Sequence, residues 1–435
     1  MRFLPWLSGL ACLLAAPCLA AQKPADLARA RPVLERQLRD PSAGNRQDAL
    51  DELGKYRFPE AAQLALPLTA DPDPRVRLTA FRTLAHLQEE PAVRAAMLKT
   101  LQAGISEQTR PLLVAVLGGT ADAKTLLQSL NKSAKGQPVV LLHLLTMAEE
   151  ISTWSDPAAV RVLERMTLLD AFPQTLGLRR AVVKGLLYIR LNEAVPVLID
   201  LLGKLDGELA FQINDHLDKI SGESFAFDAE SARKWWQANR EGYRYPSPTA
   251  LPAPRVPRVE VDGASYYGMQ IRARHMIFVM DISGSMAGAR LQHAKKELVQ
   301  AIQKLPSKSQ FNLVFFNNKL HVWSPKLVEA TPEAKKQAVY LIENLAAGGN
   351  THTYDALRVA LDLKVEHIYL LTDGQPTGGA IVQTDTILAT IRPQNRLPGI
   401  AISTIGLAPG PDSGPFSKFL QSLADQNHGQ YRKVE

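Results

Sequence analysis

Three oxygen-bearing side chains stand at alternate positions in the segment 280–286, which reads Met-Asp-Ile-Ser-Gly-Ser-Met. Asp281, Ser283 and Ser285 follow the apolar run 275–280, which predicts a buried strand, and precede a helical pattern over residues 287–305. They therefore lie on a loop that leaves the carboxyl end of a strand, where open α/β sheets bind ligands. Carboxylate and hydroxyl oxygens are hard ligands, so this loop predicts half of a site for a divalent cation such as Mg²⁺.

Two later loops supply candidates for the other half of the site. A glycine-rich turn within residues 347–357 carries the hydroxyls of Thr351 and Thr353 just before a helical pattern. The apolar strand 368–371 runs into Thr372 and Asp373, which places a second carboxylate at a strand exit. Asp, Ser and Thr are also common in turns because they cap helices, so simple turn chemistry is the alternative interpretation.

The second half of the chain contains the elements that must position these loops. From about residue 260, apolar runs of strand length alternate with amphipathic helical patterns; the runs cover 275–280, 311–316, 367–371 and 400–405. The first helix has one apolar stripe with spacings of three or four residues, formed by Leu291, Ala294, Leu298, Ile302 and Leu305. Strands that are apolar throughout and are joined by helices predict a doubly wound, mostly parallel α/β sheet covered on both faces.

Taken in order, the three loops resemble the metal-ion-dependent adhesion site of the von Willebrand factor type A domain, a Rossmann-like fold, over about residues 262–435. The family pattern is Asp-x-Ser-x-Ser, a Thr on a second loop and an Asp on a third, and the matching positions are Asp281, Ser283, Ser285, Thr351 and Asp373. The resemblance implies that the serines and the threonine bind the ion directly, while the aspartates often act through water. It also implies Mg²⁺, Mn²⁺ or Ca²⁺ as the ion, a final helix at 416–424 and an edge strand at 429–434.

One departure from the family concerns the second loop. The family commonly has Gly-Gly-Thr, whereas Asn350 stands between Gly349 and Thr351 here, so Thr353 stays an alternative ligand. His352 beside it is either a solvated loop residue or a contact for a bound partner. Asp355 is expected to be a first-turn helix residue stabilised by the helix dipole, not a metal ligand.

The first half of the chain reads as successive helices. Residues 46–53 and 77–84 echo each other at a distance of 31 residues, beginning Arg-x-x-Ala and ending in Leu. This resembles the HEAT repeat family, in which stacked helix pairs build a solenoid; an irregular helical bundle is the alternative. The match is good around 45–102, whereas only helical periodicity supports it from 103 to 190. We expect the segment 220–228, followed by a helix with Trp235 and Trp236, to cap the array.

The predicted organisation is therefore an α + α/β chain with four parts. Residues 1–21 are an export signal with an apolar stretch at 7–19 and cleavage near Ala20 and Ala21, which predicts a periplasmic or secreted protein. The HEAT-like domain covers 22–243, a proline-rich linker 244–259, and the type A domain 260–435. Both cysteines lie in the signal, so disulfides and thiolate sites are excluded from the mature protein, and no later segment is long and apolar enough to cross a membrane.

Composition argues against nucleic acid as the partner. The 435 residues carry a formal charge of +7, but lysines and arginines are scattered and no basic stripe is interleaved with aromatic residues. The leading hypothesis is a non-catalytic interaction protein of the cell envelope. Its metal would bind an Asp or Glu of a protein partner, and its helical repeats would offer a second binding surface.

Three other functions stay open from the sequence. A metal-dependent hydrolase of phosphatase or esterase type would also use Mg²⁺ at this edge of a sheet. Haloacid-dehalogenase-like phosphatases, however, need a second Asp at position 283; no Gly-x-Ser-x-Gly elbow surrounds Ser285, and no phosphate-binding loop is present. A partner of a ring ATPase conflicts with the predicted export. The last alternative is a scaffold with a vestigial metal site, and the oligomeric state is not readable.

Overall fold

A computed structural model describes residues 23–103, 116, 138–151, 157–247, 249, 263–408 and 414–435. The chain divides into two compact units, Met1–Ile105 and Ser106–Glu435. The predicted export signal and most of the predicted proline-rich linker lie outside the described residues. Among the described helices, none combines the length and apolar character needed to span a bilayer.

The first unit consists of short helices joined by tight turns. They are α1 (Pro24–Gln37), α2 (Ala43–Leu53), α3 (Pro59–Ala65), a 3₁₀ turn (Leu66–Ala70), α4 (Pro74–Leu87) and α5 (Pro91–Ala103). Four of these α-helices begin with proline, whose missing N–H and fixed φ suit the first helical position. Helices α2 and α4 pack against each other, as do α3 and α5, so equivalent helices of successive pairs stack.

The sequence echo at Arg46 and Arg77 has a structural basis. The Arg46 guanidinium donates to the carbonyls of the turn before its helix, at 2.7 Å from Asp40 O and 3.0 Å from Pro41 O. The Arg77 guanidinium repeats this arrangement in the next pair, at 2.9 Å from Asp71 O and 3.0 Å from Pro72 O. Each arginine thus satisfies carbonyls that a turn leaves without helical partners. The repeated arginine therefore stabilises the turn before its helix in each of the two repeats.

The second unit begins with a further set of helices. They are α6 (Pro138–Ile151), α7 (Pro157–Met166), α8 (Ala171–Gln174), α9 (Leu176–Ile189), α10 (Ala194–Leu202), α11 (Gly207–Ser221) and α12 (Ala229–Asn239). Helix α12 is the predicted cap helix. The rings of Trp235 and Trp236 lie 5.5 Å and 5.3 Å from that of Tyr243, so both tryptophans belong to an aromatic cluster at the end of this helical set.

A mostly parallel sheet follows the helices. Its strands are β3 (His275–Asp281), β4 (Gln310–Phe316), β5 (Leu320–Val322), β6 (Val328–Glu329), β7 (His367–Thr372), β8 (Ala401–Leu407) and β9 (Tyr431–Val434), after a separate hairpin of β1 (Ser265–Tyr266) and β2 (Met269–Gln270). The order is β5-β4-β3-β7-β8-β9, with β6 also paired to β4. The four predicted strands are present and parallel, and β9 is the expected edge strand. The short antiparallel strands β1, β2, β5 and β6 were not predicted, because two or three residues carry no readable periodicity.

Helices cover both faces of this sheet. They are α13 (Ala289–Gln303), α14 (Pro332–Glu343), α15 (Thr353–Leu361), α16 (Thr384–Asn395) and α17 (Pro415–Gln426). In β3, Phe278 faces the core shared with α13 and α14, while Val279 faces the core shared with α15, α16 and α17. This two-sided burial explains why the strands are apolar throughout. The predicted doubly wound fold is confirmed.

Helices α9 and α11 contact the amino ends of the parallel strands. The Gly177 N–H donates to Leu397 O at 3.1 Å, and Arg180 Nε donates to Gly399 O at 2.9 Å, just before β8. A Cβ added at Gly177 would lie 2.5 Å from Arg396 O, so only glycine permits this approach. Helices α9 and α11 therefore contact the sheet at the ends of its strands opposite to the three candidate loops.

Candidate metal centre

The first candidate loop begins at the last residue of β3. The Asp281 side chain is buried, and its Oδ1 accepts a hydrogen bond from the Ser283 N–H at 2.7 Å. A 3₁₀ turn at Gly284–Met286 then leads toward α13. Ser283 is buried, whereas Ser285 is exposed at the rim of the loop. Solvent exposure therefore increases along the Asp-x-Ser-x-Ser segment, from the buried aspartate to the exposed last serine.

The third candidate loop lies against the first. Ser285 Oγ donates to Asp373 Oδ1 at 2.7 Å and lies 3.1 Å from Ser283 Oγ. Strand β7 is the neighbour of β3, so their carboxyl ends meet at the sheet edge. Because β4 lies on the other side of β3, this edge is the point at which the strand order reverses, the usual ligand position in such sheets. Asp281, Ser283, Ser285 and Asp373 therefore form one chain of hydrogen-bonded groups.

The second candidate loop is bonded to both of the others. The Gly284 N–H donates to Gly349 O at 3.0 Å, and the Gly348 N–H donates to Ile282 O at 2.8 Å. Thr351 is buried, and its N–H donates to Thr377 Oγ1 on the third loop at 2.9 Å. The Thr351 main chain therefore lies between the other two loops, although no contact joins its hydroxyl to the serine pair.

Thr353, the alternative ligand, opens helix α15. It is fully buried, and its Oγ1 has no hydrogen-bond partner among the described residues. A buried hydroxyl without a partner is unfavourable unless something else satisfies it. The structure thus leaves both threonines as candidates, with Thr351 the one tied to the third loop.

The two other singled-out residues of this loop contact each other. His352 Nδ1 lies 3.7 Å from Asp355 Oδ2, and the same carboxylate oxygen accepts a hydrogen bond from the Ala380 N–H at 3.1 Å. Asp355 lies in the first turn of α15, as predicted. Its role in the structure is to connect this helix to the end of the third loop.

Electrostatics at this edge favour a bound cation. Burial and, to a smaller extent, the negative charge of Asp373 raise the pKa of Asp281 to about 6, because together they outweigh the hydrogen bonds from Thr372 and Ser283 that lower it. Two carboxylates at one buried edge repel each other, so a cation between them would be stabilised. No group of three or more His, Cys, Asp or Glu side chains forms within the described ranges, so such a cation would rely on hydroxyl oxygens as well. The donor set therefore fits a hard divalent ion.

Three contributors to the site were missed by the sequence analysis. Thr372 Oγ1 donates to Asp281 Oδ2 at 2.6 Å, and Asn317 Nδ2 donates to Gly348 O at 2.7 Å. Arg290 NH1 donates to Asp373 Oδ2 at 2.9 Å. Thr372 and Asn317 follow apolar strand runs directly, so their position was a readable signal. The role of Arg290 could not be predicted from the sequence, because a basic residue on the exposed face of an amphipathic helix is ordinary.

Two regions of the chain match known protein families. The family model for the von Willebrand factor type A domain matches residues 274–433, and the model for HEAT repeats matches residues 30–92. The HEAT match is thus confined to the first compact unit. The predicted domain limits of 22–243 and 260–435 are wider than these matches and stay predictions.

Curated relatives resemble part of this chain. Mouse inter alpha-trypsin inhibitor, heavy chain 4, is 35% identical over 120 residues, which cover 25% of this chain and 13% of the relative. Human inter-alpha-trypsin inhibitor heavy chain H3 is 26% identical over 181 residues, covering 38% and 20% respectively. The chain therefore spans a fifth or less of the length of these relatives.

A solved structure shows a similar match. The von Willebrand factor type A protein from Catenulispora acidiphila is 23% identical, covers 38% of this chain and 40% of its own, and superimposes with a TM-score of 0.33. The family matches, the strand order and the three loops agree on the architecture. The chain contains a von Willebrand factor type A domain, preceded in sequence by HEAT repeats.

Proposed function

We propose that this chain is an exported, non-catalytic interaction protein, located in the periplasm or secreted. Its type A domain binds an acidic residue of a protein partner through a divalent cation, Mg²⁺ or else Mn²⁺ or Ca²⁺. Asp281, Ser283, Ser285, Thr351 and Asp373 hold the cation. The helical repeats offer a second surface for the same or another partner.

One observation carries this proposal. The chain of contacts from Asp281 through Ser283 and Ser285 to Asp373 gathers two carboxylates and two hydroxyls at one edge of the sheet. Hydroxyl ligands are neutral, so a bound ion keeps much of its double positive charge. Ser285 is exposed at the rim, which leaves that charge accessible to a carboxylate from outside.

The names of the relatives support the same coarse role. They are heavy chains of inter-alpha-trypsin inhibitor, a name that describes a component of a protein inhibitor. We therefore assign protein association, not turnover of a substrate, to this domain.

The helical part is consistent with access to the site. Helix α9 lies at the amino edge of the sheet through Gly177 and Arg180, which bond to the segment 397–399, and α11 lies there through the contact of Glu208 with His367. The metal-site loops are at the carboxyl edge. The contacts of these two helices with the sheet therefore do not involve the loops.

Partner capture with a matched pair of variants tests the proposal. The full chain is immobilised and exposed to envelope extract with Mg²⁺, and the experiment is repeated with a chelator. We expect a partner that is retained with Mg²⁺ and lost both with chelator and in Asp281→Asn. Asp362→Asn, which removes an exposed carboxylate from the same domain, should retain it.

Two results contradict the proposal. Retention of the same partner in chelator and in Asp281→Asn discards the metal-mediated mechanism and favours a scaffold with a vestigial site. Phosphatase or esterase turnover that disappears in Asp281→Asn, but not in Asp362→Asn, assigns the site to hydrolysis instead.

A further inference from the structure

Arg290 places a second positive charge beside the candidate metal site. It lies in the first turn of α13, and its NH1 donates to Asp373 Oδ2 at 2.9 Å and to Ser285 O at 3.2 Å. Ser285 Oγ donates to the other carboxylate oxygen of Asp373. Both oxygens of Asp373 are therefore engaged, one by a hydroxyl of the site and one by a guanidinium.

The position of this arginine is electrostatically unusual. The helix dipole favours negative charge in the first turn of a helix. The first turn of α13 instead contains Arg290 and no acidic residue. Arg290 is therefore stabilised chiefly by Asp373, whose side chain is fully buried (0% exposed). Arg290 itself is 48% exposed, so its guanidinium has room to move away from the carboxylate.

A divalent cation and a guanidinium compete for the same carboxylate. Repulsion between the two positive groups opposes their binding to Asp373 at the same time. The divalent ion carries twice the charge of the guanidinium and therefore attracts the carboxylate more strongly. A guanidinium displaced from Asp373 stays at the rim beside Ser285 through its position on α13. Its planar pair of N–H groups suits a carboxylate, the same group that the proposed function brings to the metal.

We propose that Arg290 is a resident cation that exchanges carboxylates: it pairs with Asp373 until a divalent ion binds, and then pairs with the carboxylate of the partner. The residue thereby weakens metal binding on its own and strengthens binding of an acidic partner to the metal-loaded protein. This inference rests on the proposed function, because it requires the ion to bind between Asp281 and Asp373.

Calorimetric titration of the full chain with MnCl₂ tests the first half. Arg290→Gln keeps a polar side chain and removes the charge; Lys296→Gln removes the same charge from an exposed position on the same helix. We expect Arg290→Gln to bind Mn²⁺ roughly tenfold more tightly than the wild type, as one charge repels a divalent ion at this range. Lys296→Gln should match the wild type.

Acetate titrated into the Mn²⁺-saturated proteins tests the second half, with the effect on the electron paramagnetic resonance of Mn²⁺ as the readout. Arg290→Gln should bind acetate severalfold more weakly than the wild type and Lys296→Gln. The opposite signs of the two effects exclude general damage, and unchanged melting temperatures confirm folding.

The outcomes separate this inference from the proposed function. Equal or weaker Mn²⁺ binding by Arg290→Gln overturns the role of Arg290 and leaves the metal site intact. If Arg290→Gln is the one protein in this set that binds Mn²⁺, the result supports the competition between Arg290 and the ion for Asp373. Unchanged acetate binding overturns the exchange. Absence of Mn²⁺ binding in every variant overturns the proposed function and this inference together.

Discussion

The two edges of the parallel sheet both bury charged groups, but they satisfy them differently. At the amino edge, Glu208 Oε2 lies 3.1 Å from Arg180 NH2 and 3.5 Å from His367 Nδ1. At the carboxyl edge, the hydrogen bonds that Asp281 accepts from the described residues come from neutral groups, the Thr372 hydroxyl and the Ser283 N–H. The buried Glu208 is thus paired with a cationic side chain, whereas the buried Asp281 has no cationic partner among the described residues.

The pKa shifts express the same difference. Burial alone would raise the pKa of Glu208, but His367 and Arg180 together outweigh it and hold that pKa well below the ordinary value. For Asp281, burial dominates and raises the pKa to about 6. Ionised Glu208 at the amino edge therefore contributes to the stability of the fold, whereas ionised Asp281 at the carboxyl edge lowers it. Such unfavourable charge is typical of functional sites.

The largest expected effect comes from breaking the amino edge. Glu208→Gln leaves Arg180, whose side chain is 5% exposed, without its carboxylate. Removing one partner of a buried ion pair costs about 3 kcal/mol of unfolding free energy. Urea unfolding monitored by fluorescence measures this loss.

The control for this experiment is an exposed ion pair between α10 and α12. Asp200→Asn breaks the ion pair with Arg233, whose two side chains are 58% and 41% exposed. It should cost less than about 1 kcal/mol. Equal losses in the two variants would show that the amino edge has no special role in stability.

A smaller effect of opposite sign is expected at the carboxyl edge. In the presence of chelator, Asp281→Asn removes a buried charge that faces Asp373 and should leave stability unchanged or raise it by about 1 kcal/mol. Excess Mg²⁺ should raise the melting temperature of the wild type and of Asp362→Asn, but not that of Asp281→Asn. Thermal unfolding with and without Mg²⁺ checks both statements. Destabilisation by Asp281→Asn as large as that of Glu208→Gln would remove the contrast between the edges.

The smallest effect concerns pH at the amino edge. A hydrogen bond that His275 Nδ1 donates to the Glu366 carboxylate raises the pKa of His275, and burial only partly opposes it. The folded protein therefore favours protonated His275. The resulting stabilisation is fully present below the pKa of His275 in the unfolded chain, and it is lost as the pH rises through the pKa of His275 in the folded protein. Because His275 is 40% exposed, the contribution is about half a kcal/mol.

Comparison of unfolding free energy at pH 6 and pH 9 measures this contribution. His275→Gln should reduce the difference between the two pH values. His293→Gln alters an exposed histidine whose nearest carboxylate oxygen is 3.9 Å away and should leave the difference unchanged. A pH dependence that is the same in both variants would assign the effect to other groups.

Sequence patterns predicted the features that depend on local order. Apolar runs located β3, β4, β7 and β8 to within one or two residues, and strand exits located Asp281 and Asp373. The echo of Arg46 and Arg77 predicted repeats because each arginine bonds to a turn within six residues of itself.

Features that depend on tertiary pairing were not predictable in this way. Glu208 and His367 meet only because α11 packs at the amino end of β7, and nothing near either residue signals the other. The pairing of Arg290 with Asp373 is of the same kind. The choice between Thr351 and Thr353 is similar, since it depends on side-chain direction in a three-residue window.

The most direct test of the metal site is an anomalous difference map from crystals of the full chain grown with Mn²⁺. The account predicts one peak at the carboxyl edge, within about 2.0–2.6 Å of Ser283 Oγ, Ser285 Oγ and the hydroxyl of Thr351 or Thr353. Arg290 should then no longer contact Asp373. A map without a peak beside the two serines, at Mn²⁺ concentrations that occupy other sites on the protein, would contradict the account.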